Sequence, residues 1–146
     1  FGFAAYDNDS DIKSSVALGL GKNNGMIVIM GTGIVGFAVK DNEFRQIGEV
    51  FVSTEDGSAG EQGFVTVHSV MQSKIDKMYC CGPAPMMKAI AKIAAQKECE
   101  CEVSLENKMA CGLGACLCCV EDSKEGNVCV CTSGPVFNTK ELKWEI

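Results

Sequence analysis

Short apolar runs bounded by glycine or polar residues recur along the first two thirds of the chain. Runs of about four to eight apolar or β-branched residues between turn signals are typical of buried strands. Residues 12–20 are expected to form a short helix, and residues 64–72 fit a helix or a strand equally well. The predicted strands lie at residues 26–30, 49–53, 76–81 and 99–105.

A longer amphipathic helix is predicted over residues 84–97. Met86, Ile90 and Ile93 fall on one helical face, and lysine and glutamine side chains form a polar stripe beside it. Pro85 suits the first turn, where a missing backbone N–H breaks no helical hydrogen bond. Because strands alternate with a helix, the fold class expected for this part is α/β, with a parallel sheet.

The composition changes near residue 102, where helical periodicity stops and cysteine and glycine become frequent. The segment "EDSKEGN" indicates a turn-rich hairpin. The chain is therefore divided into an α/β domain over residues 1–102 and a small cysteine-rich domain over residues 103–146. Because the chain begins with Phe1 rather than methionine, a fragment or a processed product is expected.

Charge and cysteine content narrow the possible function classes. A net charge of −6 argues against a nucleic-acid partner, because phosphate binding needs clustered lysine and arginine. No apolar run approaches the length of a membrane span and no secretion signal opens the chain, so a cytoplasmic location is expected. Ten cysteines in such a chain favour metal binding or redox chemistry over a disulfide framework.

Four of the cysteines have the spacing of an iron–sulfur site. Cys111, Cys116 and Cys119 are arranged as C-x4-C-x2-C, and Cys131 follows after eleven further residues. This is the plant-type [2Fe–2S] pattern. Glycines within the loop allow it to curl around a cluster, and soft thiolates suit iron–sulfur or zinc better than magnesium or calcium.

A structural zinc site, in a non-enzymatic binding module, is the alternative interpretation of these cysteines. Zinc sites usually pair their ligands as two short C-x2-4-C repeats, and only one half of this cluster has that form. His68 lies far upstream and is expected to be an ordinary surface or helix residue. Cys118 and Cys129, next to the proposed ligands, are expected to be packing residues.

Two glycine-containing turns are candidates for nucleotide binding. "GTGIVG", residues 31–36, matches G-x-G-x-x-G formally, but no helical pattern follows it, so a simple turn is at least as well supported. Cys81 ends a predicted strand, and Gly82 and Pro83 lead directly into the helix. Ligands of α/β proteins bind at such strand ends, and a helix N-terminus favours anions. A tight strand-to-helix turn without a ligand has the same pattern.

Three segments together resemble a known family. "YCCGPAPMMKAIAKIA" resembles the C-G-P segment of the ferredoxin-reductase-like NAD(P) domain. "VSLENKMACGLGACLCCV", followed by "CTSGPVF", is similar to the iron–sulfur end of the electron-transfer subunit of dihydroorotate dehydrogenase B, and "VFVSTEDGSAGEQGFVT" resembles that subunit's NAD domain. The resemblance covers residues 36–137 and implies a ferredoxin-reductase-like NAD domain followed by a [2Fe–2S] domain, the C-terminal part of such a subunit.

The resemblance also implies a role. In that family, dihydroorotate is oxidised to orotate at FMN in a partner catalytic subunit, and electrons pass through a [2Fe–2S] cluster and FAD to NAD⁺ in pyrimidine biosynthesis. The family's flavin-binding barrel has no counterpart here, so FAD is expected to need sequence absent from this chain. A hetero-oligomer with the catalytic subunit is expected. A component of another flavin-linked oxidoreductase and a stand-alone ferredoxin-like carrier are the alternatives.

The site residues carried over from the family fall into two groups, and no residue of this chain is assigned a catalytic role. The expected cluster ligands are Cys111, Cys116, Cys119 and Cys131. The expected cofactor-binding residues are Thr54, Glu55, Asp56, Gly57 and Ser58 beside the nicotinamide, and Cys81, Gly82 and Pro83 near the nicotinamide and the flavin.

Overall fold

The computed structural model describes residues 13–20, 26–33 and 49–145. Its strands are β1 (Lys13–Leu20), β2 (Met26–Gly33), β3 (Glu49–Thr54), β4 (Glu61–Gln62), β5 (Lys77–Cys81), β6 (Glu100–Ser104), β7 (Val120–Ser123), β8 (Gly126–Cys129) and β9 (Val136–Asn138). Seven of them form one sheet in the order β4-β3-β1-β2-β5-β6-β9, and β7 and β8 form a separate hairpin. The helices are α1 (Ala84–Gln96) and the single turn α2 (Val130–Ser133), with 3-10 turns at Val65–Val67 and Ser69–Gln72.

The sheet is mixed rather than parallel throughout. Strands β2, β5 and β6 are parallel, as expected, but β1 is antiparallel to both β2 and β3, and β9 is antiparallel to β6. The helix expected at the start of the chain is therefore wrong, because Lys13–Leu20 is strand β1. Val16 and Gly19 have low helix propensity, and pairing on both sides satisfies the backbone N–H and C=O groups. Residue 12 lies outside the described residues.

Strand β2 extends further than its apolar run. It continues through Gly33, so the turn considered for "GTGIVG" does not begin at Gly31. Gly36, the last glycine of that motif, lies outside the described residues. Within the described part of the motif, Gly31 and Gly33 pair with β1 as ordinary strand residues.

The amphipathic helix is confirmed as α1, which packs on β5 and β6. Its buried residues are Met87, Ile90, Ala91 and Ala94. The buried face of the helix is therefore rotated slightly from the predicted face, because Met86 and Ile93 are only partly buried. The surrounding core is continuous with the cysteine-rich part, because it includes Cys119 and Val130.

The cysteine-rich part leaves the sheet after β6 and returns to it at β9, the outermost strand on that side. Strand β6 crosses residue 102 and continues to Ser104, and β9 returns beside it with Phe137 opposite Val103. Beyond these strands, the Leu105 N–H donates to the Pro135 carbonyl oxygen at 2.9 Å. The division of the chain at residue 102 stays a prediction. None of the described helices has the length and apolar character needed to cross a membrane.

Candidate metal centre and strand-edge site

The cysteine loop joins β6 to β7 and comprises residues 105–119, which contain no helix or strand. Left-handed backbone conformations curl it: φ is +69° at Gly112, +75° at Gly114 and +58° at Leu117. The first two cost little because glycine has no Cβ, whereas leucine in this region costs about 1–2 kcal/mol. Leu117 is nevertheless held there, between two cysteines and with 64 % of its surface exposed.

Cys111 and Cys116 form the first pair of thiols. The Sγ of Cys111 accepts hydrogen bonds from the backbone N–H groups of Leu113 and Cys116, both at 3.4 Å. The Cys118 N–H and the neighbouring Cys111 thiol lower the pKa of Cys116 to about 6. Because the thiolate is the form that binds metals, this turn of backbone favours the ligating state.

Cys119 and Cys131 form the second pair. Cys119 is only 1 % exposed, and its Sγ accepts a hydrogen bond from the Cys131 N–H at 3.4 Å. The Val130 N–H donates to the Cys119 carbonyl oxygen at 2.9 Å, which places the start of α2 against the end of the loop. The Cys131 N–H and thiol lower the pKa of Cys119, and the hydrogen bond to Cys119 raises the pKa of Cys131, so Cys119 is the more readily deprotonated thiol of the pair.

The arrangement in two pairs fits a two-iron cluster better than a zinc ion. A [2Fe–2S] cluster divides four cysteine ligands between two irons, whereas a structural zinc gathers four ligands around one point. In the described part of the chain, no three His, Cys, Asp or Glu side chains converge on a single ion position. The backbone N–H groups aimed at sulfur also suit the negative charge of cluster thiolates.

The two remaining cysteines of this region behave differently. Cys129 is half-buried and packs against the core, as expected, with its Sγ 3.7 Å from the Gly114 carbonyl oxygen. The expectation for Cys118 is wrong, because its side chain is exposed and its Sγ lies 3.8 Å from the Cys116 carbonyl oxygen. The alternation that would turn Cys118 inward applies to strands, and Cys118 lies in the loop.

The proposed nicotinamide loop follows β3 and is internally braced. The Thr54 side chain is buried, donates to the Ala59 carbonyl oxygen at 3.0 Å and accepts from the Ala59 N–H at 3.1 Å. The Ser58 N–H donates to Asp56 Oδ1 at 3.0 Å and lowers the pKa of that carboxyl. Residues 55–58 are exposed. The backbone of this loop is therefore preformed while its side chains face solvent.

Cys81, Gly82 and Pro83 lie where β5 ends and α1 begins. Gly82 has φ +149°, and the Pro83 carbonyl oxygen accepts the first helical hydrogen bond from Met87 at 3.1 Å. The Cys81 thiol donates to Glu106 Oε1 at 3.5 Å. Glu106 was not among the predicted site residues. Its position directly after β6, at the carboxyl edge of parallel strands, is the signal that could have identified it.

Both predicted cofactor segments lie at the carboxyl ends of strands, on the same side of the sheet. Strands β3, β2 and β5 run in the same direction, so Thr54 and Cys81 both stand at carboxyl ends. Strands β1 and β2 separate β3 from β5, which places the two segments about 14 Å apart at the usual strand spacing. Such an edge is where open α/β sheets bind their ligands.

His68, expected to be a surface or helix residue, is buried and lies between the two 3-10 turns. It is 5 % exposed, and its Nδ1 accepts from the Val70 N–H at 3.0 Å at the start of the second 3-10 turn. Its ring meets the Phe51 ring edge-on, with centroids 5.8 Å apart, and Nε2 lies 3.5 Å from Glu61 Oε1. It supports the segment after β4, and it belongs to no metal-binding group among the described residues.

Comparison with known proteins agrees with this geometry. Residues 106–143 match the family model of the iron–sulfur cluster binding domain of dihydroorotate dehydrogenase B. Over 105 residues the chain is 46 % identical to the dihydroorotate dehydrogenase B (NAD⁺) electron transfer subunit of Caldanaerobacter subterraneus subsp. tengcongensis, covering 68 % of this chain and 42 % of the relative. The chain belongs to this family of electron-transfer subunits. The resemblance noted from the sequence is thereby confirmed.

Other relatives extend the comparison. The electron transfer subunit of Fusobacterium nucleatum is 42 % identical over 124 residues, which cover 77 % of this chain and 47 % of that subunit. The chain thus spans less than half the length of the curated subunits it matches. A solved structure of an NADH-dependent reduced ferredoxin-NADP oxidoreductase superposes with a TM-score of 0.53 at 33 % identity, covering 61 % of this chain and 33 % of the other. This likeness supports the mixed sheet with its helix, and the family model supports the iron–sulfur segment.

Proposed function

We propose that this chain is an electron-transfer component whose Cys111, Cys116, Cys119 and Cys131 hold a [2Fe–2S] cluster. The observation that carries the proposal is the arrangement of these four thiols in two pairs, with two backbone N–H groups directed at a sulfur of the first pair and one at a sulfur of the second. When bound, such a cluster accepts and donates one electron at a time. The chain's contribution is to hold the thiolates and to neutralise part of their charge through the backbone.

The electrons come, in this proposal, from dihydroorotate. A partner catalytic subunit oxidises it to orotate at FMN, and the cluster, FAD and finally NAD⁺ receive the electrons, in the cytoplasm and as part of pyrimidine biosynthesis. The names of the related subunits support this assignment. The assembly is a hetero-oligomer, and FAD takes part of its contacts from sequence beyond these residues.

The carboxyl edge of the sheet is the proposed nucleotide site, within a ferredoxin-reductase-like NAD domain. The loop of residues 54–58 lines the nicotinamide cofactor, and Cys81, Gly82 and Pro83 lie near the nicotinamide and the flavin. The positive end of the α1 dipole favours the negative charge of a nucleotide phosphate. The braced Thr54 and the left-handed Gly82 fix this edge before a ligand arrives.

The likeness to the ferredoxin-NADP oxidoreductase supports a second candidate, a component of another flavin-linked oxidoreductase. The two candidates share the cluster and differ in the partner. A pull-down with the chain as bait separates them. Recovery of a dihydroorotate-oxidising flavoprotein supports the first, and recovery of a different flavoenzyme supports the second.

Metal content and spectroscopy test the cluster itself. The chain is reconstituted anaerobically with iron and sulfide, and absorption and EPR spectra are recorded before and after dithionite. We expect a red-brown protein with equal iron and acid-labile sulfide that gains a rhombic spin-half signal on reduction. A colourless protein that retains zinc without iron or sulfide contradicts the proposal and supports a zinc-organised module. Titration with NADH, followed by fluorescence, tests the strand edge separately, and an absence of saturable binding supports a simple carrier.

A further inference from the structure

One carboxylate connects three separate parts of the cysteine-rich region. Glu121 Oε2 accepts a hydrogen bond from Asn107 Nδ2 at 3.1 Å, and Glu121 Oε1 accepts one from Trp144 Nε1 at 3.2 Å. Asn107 lies four residues before Cys111, and Glu121 lies two residues after Cys119 on β7. The two ends of the cysteine loop are thus bridged through a single side chain.

The first arm of the loop has few other attachments. At its base Leu105 is hydrogen-bonded to Pro135 and Glu106 accepts from the Cys81 thiol, and the next connection is the side chain of Asn107. Among the described residues, 108–110 donate and accept no hydrogen bond to another segment. The arm carries Cys111, whose sulfur in turn accepts from the Cys116 N–H. The Asn107–Glu121 contact therefore helps to position the first thiol pair, together with the contact between Cys129 Sγ and the Gly114 carbonyl oxygen.

The second thiol pair is fixed independently. Cys119 is buried in the core and is held by the backbone N–H groups of Val130 and Cys131. Trp144 supports Glu121 from the opposite side, and its ring lies 5.8 Å from the Lys88 ammonium group of α1. Glu121 accordingly connects the arm that carries Cys111 to the strand that follows the buried Cys119.

We propose that Glu121 is a positioning residue, which sets the distance of Cys111 and Cys116 from Cys119 and Cys131. The inference rests on the proposed cluster and deepens it. A carboxylate suits the position because both contacting groups are donors, and the indole N–H can only donate. A glutamine at this position has one acceptor oxygen, which can accept from the Trp144 N–H. Its NH2 group can donate to the Asn107 side-chain oxygen if the asparagine amide rotates by half a turn.

The test compares Glu121→Leu and Glu121→Gln with the control Asp122→Asn. The control removes one negative charge from the adjacent position of β7, where Lys143 Nζ, at 3.1 Å, is the one side-chain contact of Asp122 within the described part of the chain. Any effect of charge on the reduction potential is therefore common to Glu121→Gln and the control. Only the Glu121 variants disturb the hydrogen bonds to Asn107 and Trp144, and Glu121→Leu removes both of them. Thermal unfolding of each variant identifies any that does not fold.

The first readout is the rate at which a chelator removes iron from the reconstituted chain. Glu121→Leu is expected to lose its cluster about 10–100-fold faster than wild type and to broaden the EPR signal, as is usual when a supporting contact behind a metal ligand is removed. Glu121→Gln is expected to lie between leucine and wild type, and Asp122→Asn to match wild type. Equal rates in Glu121→Leu and Asp122→Asn overturn the inference.

The second readout does not require a cluster. In the metal-free chain, hydrogen exchange of the Leu113 and Cys116 amides, which donate to the Cys111 sulfur, is expected to be faster in Glu121→Leu than in wild type, while exchange at Val130 and Cys131 is unchanged. Equal exchange at Leu113 and Cys116 overturns the positioning role. If instead wild type takes up no [2Fe–2S] cluster but exchange responds as expected, the proposed function fails and the structural tie remains. If Glu121→Leu does not fold, Trp144→Phe, which removes the N–H donor and also makes the aromatic side chain smaller, is measured in the same two ways.

Discussion

The backbone N–H of Cys131 points at the sulfur of Cys119 across 3.4 Å, although the two residues are twelve positions apart. The contact lies against the core, where Cys119 is buried beside Val130. Core packing therefore organises this half of the proposed ligand set, and loop conformation organises the other half.

Replacing Cys119 by serine is expected to abolish the cluster or to perturb it strongly, because the second thiol pair then loses its buried sulfur. Replacing Cys118 by serine is expected to leave the cluster largely intact, since that side chain is exposed and faces the Cys116 carbonyl oxygen. Iron and sulfide analysis with reduced-state EPR measures both variants. Equal cluster loss in the two variants, at equal thermal stability, would show that the ligand assignment is wrong.

Gly60 and Gly112 form a matched pair for testing the loop after β3. Their φ angles are +68° and +69°, but a Cβ on Gly60 would lie 2.0 Å from the Val52 carbonyl oxygen, whereas a Cβ on Gly112 meets nothing within 4 Å. Gly112→Ala is expected to cost about 1–2 kcal/mol of stability, the usual cost of alanine in the left-handed region. Gly60→Ala is expected to cost more, because strand β3 must also move.

Urea unfolding of the metal-free chain measures both glycine variants. The Gly60→Ala variant is also expected to weaken NADH binding, since the displaced strand carries the loop of residues 54–58. Equal destabilisation by the two substitutions would contradict the close approach of Gly60 to Val52.

The Glu61 carboxyl gives the fold a pH dependence. The hydroxyl and then the backbone N–H of Ser69 donate to it and hold its pKa below the ordinary value of 4.5. A carboxyl with a lowered folded pKa adds stability above its unfolded pKa and loses it as the pH falls through the folded value. Ser69→Ala is therefore expected to destabilise the chain at neutral pH, with the difference from wild type closing in acid.

Denaturant unfolding at a series of pH values between about 2 and about 7 measures this effect, because a carboxyl group titrates within this range. The control is Ser69→Ala in a Glu61→Gln background, where the same substitution is expected to have an effect that does not vary with pH. If the effect of Ser69→Ala depended on pH in both backgrounds, the pH dependence of stability would come from a group other than Glu61.

The packing of α1 on the sheet can be tested at two isoleucines of one helix. Ile90 is fully buried and Ile93 only partly. Ile90→Ala is expected to cost about 2–5 kcal/mol, because a filled core site loses its contacts and leaves a cavity. Ile93→Ala is expected to cost less, and thermal unfolding compares the two. The reverse order would place the helix in a different rotation on the sheet.

Features that depend on neighbouring residues were predictable from the sequence. Helix α1 follows its apolar spacing and Pro85, and the ligand spacing of Cys111, Cys116 and Cys119 is a local pattern. Strand β1 was missed because its conformation is decided by pairing with β2 and β3 on either side, which helical periodicity does not reveal.

Distant contacts account for the parts of the site that sequence reasoning missed. Glu121 meets Asn107 and Trp144 across 14 and 23 positions, and Cys81 meets Glu106 across 25. Each pair consists of ordinary polar or aromatic residues with no motif of their own. The burial of His68 likewise depends on Phe51 and on the turn that it caps.

The hydrogen bond between Leu105 and Pro135 has a consequence for engineering. The chain leaves the sheet at β6 and rejoins it at β9. The two ends of the segment between these strands are therefore joined by this hydrogen bond, with 2.9 Å between the Leu105 nitrogen and the Pro135 oxygen. An insert whose ends meet can be exchanged for another of different length without changing the register of the strands that flank it. Segments from relatives with other redox properties could therefore be transplanted between these two residues, provided that the contacts of the hairpin β7–β8 with the stretch after β9 are carried along.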